Sequence, residues 1–154
     1  MRIRIVAPGK IKDKWLRGGI DEYVKRLSRY CQTEIQELDD VPDSWPEEKA
    51  IQEEGKRILA KVKPNDFCVV LDLHGKMLDS LDFSRNIADW FSVGGSEIVF
   101  IIGGSNGLAP EVLARAQYRL CLSKMTYTHQ MTRLLLVEQI YRAFRIQRNE
   151  PYHK

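Results

Sequence analysis

The sequence predicts an α/β protein built on a mostly parallel sheet with helices on both faces. Three observations predict it. Strand-like runs alternate with helical periodicity five times along the chain. Two of the runs, at Phe67 to Leu73 and Ile98 to Ile102, are apolar on nearly every residue, as in parallel strands covered on both sides. The 154 residues, 44% of them hydrophobic and 29% charged, suffice for one domain with a sizeable core over residues 1–154.

The elements follow in order. Met1 to Ala7 alternates apolar and polar residues and stops at Pro8-Gly9, which reads as a strand and its terminating turn. Trp15, Leu16, Ile20, Tyr23, Val24 and Leu27 recur at helical spacing between Asp13 and Tyr30, although Gly18-Gly19 costs about 1 kcal/mol per glycine relative to alanine. Gln32 to Leu38 predicts a short strand. Asp39 to Pro46, rich in acids and proline, predicts a flexible loop, and Ser44 resembles a capping box opening a helix near 46–62. The apolar strand from Phe67 is followed by an amphipathic helix over Ser80 to Phe91, and the strand Ile98 to Ile102 by a short helix over Pro110 to Gln117, with proline in its favoured first turn. Tyr118 to Ser123 predicts the last strand. Thr132 to Arg148 carries the strongest helical pattern and ends before Pro151.

Composition narrows the function classes. No apolar run approaches the ~20 residues of a membrane helix, and the alternating N-terminus lacks a secretion signal, so a cytoplasmic protein without membrane partners is expected. Cys31, Cys68 and Cys121 are odd in number and widely spaced, as are His74, His129 and His153, so neither disulfides nor a metal site is expected. Residues 1–30 carry 9 basic and 3 acidic side chains, residues 31–60 the reverse balance of 3 and 9, and residues 121–154 carry 6 and 2. Two basic termini could converge on a polyanion, although an ordinary solvated exterior explains the same counts.

Ligands in such sheets collect beyond the carboxyl ends of the strands. Three connections leave those ends: His74-Gly75-Lys76, Gly103 to Ala109, and Lys124 to His129. The second is glycine-rich, yet its Gly-Gly-x-x-Gly spacing satisfies neither the dinucleotide fingerprint nor the P-loop. The third is polar but almost uncharged; it can hydrogen-bond an adenine edge while Met125 and Tyr127 cover its faces, or Met125 can fill the core and Thr128 or Thr132 simply cap a helix. On the last helix Glu138, Arg142 and Arg145 share one face, with Glu138 the natural partner of Arg142. The terminal Tyr152-His153-Lys154 offers rings for stacking on an unpaired base and a cation for phosphate, features of RNA binding, whereas most tails fray.

Taken together, Gly103 to Leu108, Ser123-Lys124-Met125-Thr126 with His129, Glu138 to Ala143 and the final Tyr152-His153-Lys154 resemble the ribosomal large-subunit pseudouridine N3-methyltransferases of the SPOUT superfamily. The resemblance runs over the whole chain. It implies a C-terminal trefoil knot, a homodimer, and S-adenosylmethionine bound by Leu71, Gly103, Leu122, Ser123, Lys124, Met125, Thr126 and Tyr127. The implied substrate is a pseudouridine of 23S rRNA in the assembled ribosome. For methylation at N3 the candidates are His153 or His129 as proton acceptor or relay, Arg142 as a cation on the developing oxyanion, and Tyr152, His153 and Lys154 as RNA contacts. The basic N-terminal third and the opposite subunit's tail are expected to frame one active site. Two other readings fit the same loops: a SPOUT enzyme acting on tRNA, and a ribosome- or nucleotide-binding module without catalysis.

Overall fold

The computed structural model describes residues 1–154. Ten elements alternate: β1 (Arg2–Pro8), α1 (Lys14–Leu27), β2 (Gln32–Leu38), α2 (Glu47–Leu59), β3 (Phe67–Met77), α3 (Ser80–Val93), β4 (Glu97–Ile101), α4 (Pro110–Arg115), β5 (Tyr118–Cys121) and α5 (His129–Gln147). The strands form one sheet in the order β2-β1-β4-β3-β5, and every neighbouring pair is parallel. No helix is long and apolar enough to cross a membrane.

Strand alternation builds two cores. Ile3, Ile5 and Ala7 of β1, Val69 of β3, and Ile98 and Phe100 of β4 face one side, where they meet Leu27, Ile87, Trp90 and the α5 residues Leu136, Val137, Ile140 and Phe144. Val6, Cys68, Val70, Val99 and Ile101 face the other, against Ile58 of α2 and Val112 of α4. Helices α1, α3 and α5 thus cover one face, and α2 and α4 the other. The unbroken apolar sequence of β4 is what burial on both faces requires. Gly19 has a packing reason to stand inside α1: a Cβ there would lie 3.3 Å from Leu134 of α5, whereas one at Gly18 would meet nothing.

The structure departs from the sequence reading at several points. Ser44 does not cap α2: the residue preceding that helix is Pro46 and no side chain caps it. Residues 42–45 fold into a turn instead, with Trp45 N donating to Pro42 O at 3.1 Å, and the helix begins when Ala50 N bonds Pro46 O at 3.0 Å. Segment 74–76, expected as a connection, belongs to β3. A register slip aligns both Leu71 and Lys76 with Leu120, so β5 supplies partners on each side of the interruption. Helix α5 starts earlier than its apolar periodicity indicates, because Thr128 Oγ1 accepts from Met131 N at 3.1 Å and caps it. Met125 does not fill the core; it is 74% exposed.

Candidate functional site

Beyond the carboxyl ends of β3, β4 and β5 lies a cavity of about 700 Å³. Its wall comes from three segments: Leu71 to His74, Ile102 to Leu108, and Leu120 to Thr132 with only Lys124 and Met131 missing from that run. Local chemistry explains each segment. Asp72 Oδ1 accepts from His74 N at 3.1 Å and shapes the interruption of β3. In the glycine loop, Gly104 and Gly107 form an antiparallel bridge, and Gly107 takes φ +97°, which side-chain-bearing residues rarely adopt. In the third segment Ser123 Oγ accepts from Met125 N at 3.0 Å, and the Thr128 cap then launches α5.

The wall suits a ligand that needs peptide groups and apolar surface more than a phosphate clamp. No lysine or arginine lines it; its ionisable members are Asp72, His74, Cys121, Tyr127 and His129. Burial, reinforced by the Arg133 charge, pushes the His129 imidazole below its ordinary pKa, while Asp40 opposes the shift. His129 therefore favours its neutral form, which can accept a proton. A smaller cavity of about 350 Å³ adjoins, sharing Leu120, Cys121, Leu122 and Tyr127 and extending to Phe83, Leu135 and Gln139.

A second group of polar residues lies along α5 and the tail. Glu138 Oε1 accepts from Nε of Arg142 at 3.1 Å and also from its Nη2. The hydroxyl of Tyr152 donates to the same oxygen at 3.0 Å and lies 3.3 Å from Tyr23 of α1. Arg142 Nη1 stands 3.2 Å from His153 Nδ1. The Glu138 carboxylate holds the Arg142 pKa above its already high value, so this guanidinium is a permanent cation. Burial and the bonds to Tyr23 and Glu138 push the Tyr152 phenol well upward, keeping it protonated. The tail does not fray: Arg145 Nη2 donates to Pro151 O at 3.0 Å and its Nη1 meets Glu150 at 2.7 Å. Tyr152, expected as a stacking platform for RNA, meets Tyr141 at 4.9 Å between ring centres with the two planes nearly perpendicular.

Of the residues the resemblance assigns to the cofactor, Leu71, Gly103, Leu122, Ser123, Met125, Thr126 and Tyr127 line the larger cavity, and Lys124 does not. His129 lines it as well. Arg142, Tyr152 and His153 lie together but line neither cavity, and Lys154 is exposed. Sequence reasoning missed Glu54, which is 7% exposed and presses its carboxylate against Gly104 from behind the glycine loop. It sits in a run of acids on α2 that reads as a solvated face. The only signal was the following Gly55, where a Cβ would stand 2.7 Å from Ala109 and block the approach of α2 to α4.

An all-parallel sheet with a cavity at its carboxyl edge, bordered by a polar loop and the first turn of a long last helix, defines a class of α/β proteins that bind a small ligand across strand ends. The chain belongs to the SPOUT methyltransferase family, whose model, described as "Predicted SPOUT methyltransferase", matches residues 1–153. It is 51% identical over 159 residues to "Ribosomal RNA large subunit methyltransferase H 1" of Clostridium perfringens strain SM101, and 52% identical over 161 residues to "Ribosomal RNA large subunit methyltransferase H" of Clostridioides difficile strain 630; both matches span 100% of each chain. Among solved structures it is similar in fold to "a probable methylase family protein" from Haemophilus influenzae Rd KW20. That match has a TM-score of 0.52 at 16% identity and covers 96% of this chain and 66% of the other.

Proposed function

We propose that this protein is an S-adenosylmethionine-dependent methyltransferase of large-subunit ribosomal RNA, acting on N3 of a pseudouridine of 23S rRNA in the assembled ribosome. The observation that carries this reading is the 700 Å³ cavity, which joins the three strand-end segments and has no cationic phosphate clamp. Its size lies within the range of small-molecule sites. The full-length identity to relatives named as large-subunit ribosomal RNA methyltransferases supports the substrate class.

When bound, S-adenosylmethionine supplies an electrophilic methyl group on a sulfonium. The chain's own residues would do the rest. Peptide groups of 103–108 and 122–127 orient the donor, and Met125 and Tyr127 cover its adenine. Positioning of this kind supplies much of the rate. His153, or alternatively His129, takes or relays the N3 proton of the imide. Arg142, fixed by Glu138, meets the oxygen on which negative charge develops.

Arg142 and His153 lie outside the donor cavity of their own protomer, so the same reading includes a homodimer in which one subunit's tail and α1 complete the other's site. Exposed Met77, Leu81 and Tyr127, near the smaller cavity, supply apolar surface for such a contact. A cytoplasmic location, a single domain over 1–154 and a trefoil knot in the C-terminal half belong to the same proposal; the knot rests on family membership.

Calorimetric titration with S-adenosylmethionine, followed by incubation with ribosomes and a methyl-labelled donor, tests it. Binding and an N3-methylated pseudouridine in digested large-subunit RNA are expected. Label confined to tRNA would favour the other substrate, and absence of donor binding would overturn the reading.

A further inference from the structure

Positive charge exceeds negative charge where the end of α1 meets the end of α5. Glu22 pairs with Arg26 at 3.3 Å, Glu138 with Arg142, and Glu150 with Arg145 at 2.7 Å, which leaves two arginines over. Arg29, just past α1, and Arg148, just past α5, are exposed, and no hydrogen bond or ion pair holds either guanidinium. Both charges reach Glu150. Its carboxyl is held below the ordinary range by the bond from the Tyr30 hydroxyl, and then by the charges of Arg145, Arg29 and Arg148, so one carboxylate answers three guanidinium groups.

One side chain gathers the two spare cations. The guanidinium carbon of Arg148 lies 4.8 Å from the centre of the Tyr30 ring, and that of Arg29 lies 5.7 Å from it. The ring itself is fixed: it is 6% exposed, stacks on Phe144 at 5.4 Å with 5° between the planes, and its hydroxyl donates to Glu150 at 2.7 Å. A guanidinium resting on an aromatic ring keeps its planar fork of N–H donors available, and less side-chain entropy is lost when an acceptor arrives. Each cation also complements the dipole at a helix end, a benefit of about 0.3–1 kcal/mol. That benefit accounts for one cation per helix and not for bringing both to the same tyrosine, where like charges repel until an anion joins them. The pair borders the tail. Tyr141 lies 6.2 Å from Tyr30 and 4.9 Å from Tyr152, whose ring carries Arg142 at 4.8 Å, beside His153.

We propose that Arg29 and Arg148, gathered at Tyr30, form a phosphodiester-binding site that grips the ribosomal RNA strand beside the base presented to Arg142 and His153. This inference rests on the RNA-substrate reading above. The two side chains meet the sugar-phosphate backbone and not the reacting atoms, so they hold and orient the strand without choosing its base. Their contribution is electrostatic and therefore falls as salt rises, because each phosphate they neutralise releases a counterion.

The test compares wild-type protein with Arg29→Gln, Arg148→Gln and their double variant, and with the double variant Arg29→Lys and Arg148→Lys. Ribosome binding is followed by sedimentation over a series of salt concentrations, methylation by kcat and KM with ribosomes as the varied substrate, and S-adenosylmethionine affinity by calorimetry. Each single glutamine substitution should weaken ribosome binding roughly fivefold near 0.15 M salt and reduce the slope of log affinity against log salt by about 0.7–0.9, the release from one phosphate. Both effects should compound in the double glutamine variant, mostly in KM, with S-adenosylmethionine affinity within about twofold of wild type. The double lysine variant should regain the slope, because the charges remain. A lower melting temperature with an unchanged ribosome affinity and salt slope reduces both arginines to helix-end cations and overturns the inference. If the double glutamine variant does not fold, the slope of either single variant decides. Wild-type protein that neither binds nor methylates ribosomes defeats the substrate reading and the inference with it, whereas variants that match an active wild type overturn the inference alone.

Discussion

The two ends of α5 hold arginines in opposite ways. At its start, Arg133 is 0% exposed and binds backbone: Nη2 donates to Pro8 O at 2.6 Å and Gly9 O at 2.9 Å, while Nη1 meets Glu37 at 3.0 Å. Toward its end, Arg142 binds side chains that are themselves partly open to solvent, namely Glu138 and His153. The difference separates an arginine held as scaffold from the one proposed above to meet the substrate. An arginine bonded to carbonyls locks the turn after β1 against the helix whose first turn lines the larger cavity. One spent on a carboxylate and an imidazole retains a charge that a substrate can share.

The largest expected effect tests the scaffold end. Arg133→Met removes the partner of two carbonyls and of Glu37, and should cost about 3–5 kcal/mol in urea unfolding. A loss below 1 kcal/mol would break the distinction between the two ends. At the other end, His153→Ala should lower single-turnover methylation roughly 100-fold with an unchanged melting temperature. Unchanged methylation would remove the tail from the mechanism. Next in size, Thr128→Ala deletes the cap on Met131 N and should cost about 1 kcal/mol, read by the same unfolding titration.

The smallest effect concerns pH. His129 has a depressed pKa in the folded protein, so the unfolded chain takes up its proton first. Stability from this group is complete above pH ~6.5 and is lost as pH falls toward the folded pKa. The wild-type melting temperature should therefore fall more steeply below pH 6.5 than that of His129→Gln. Parallel curves would mean that His129 is not desolvated in the folded protein.

Much of this architecture was legible in the sequence because burial on two faces leaves a plain mark. The apolar run at Ile98 to Ile102 overlaps β4 through Ile101, and Gln32 to Leu38 coincides with β2. The glycine and polar loops could be chosen as the binding edge from strand-end logic alone, and both line the cavity. What escaped depends on contacts distant in sequence. Residues 74–76 carry no strand pattern of their own and join β3 because β5 offers backbone partners across a slipped register. Glu54 looked like solvent-facing charge until α4 and the glycine loop closed over it. The docking of Tyr152 required α1 to arrive beside α5, which no local periodicity encodes.

The strand order also governs events during synthesis. β1 is made first and its partner β2 soon after, but the partner of its other edge is β4, with Arg2 aligned to Glu97 and Val6 to Ile101. At ~5–20 residues per second, several seconds of translation separate the two strands. Through that interval the edge of β1 destined for β4 has no partner strand, so its N–H and C=O groups are free to pair with other chains.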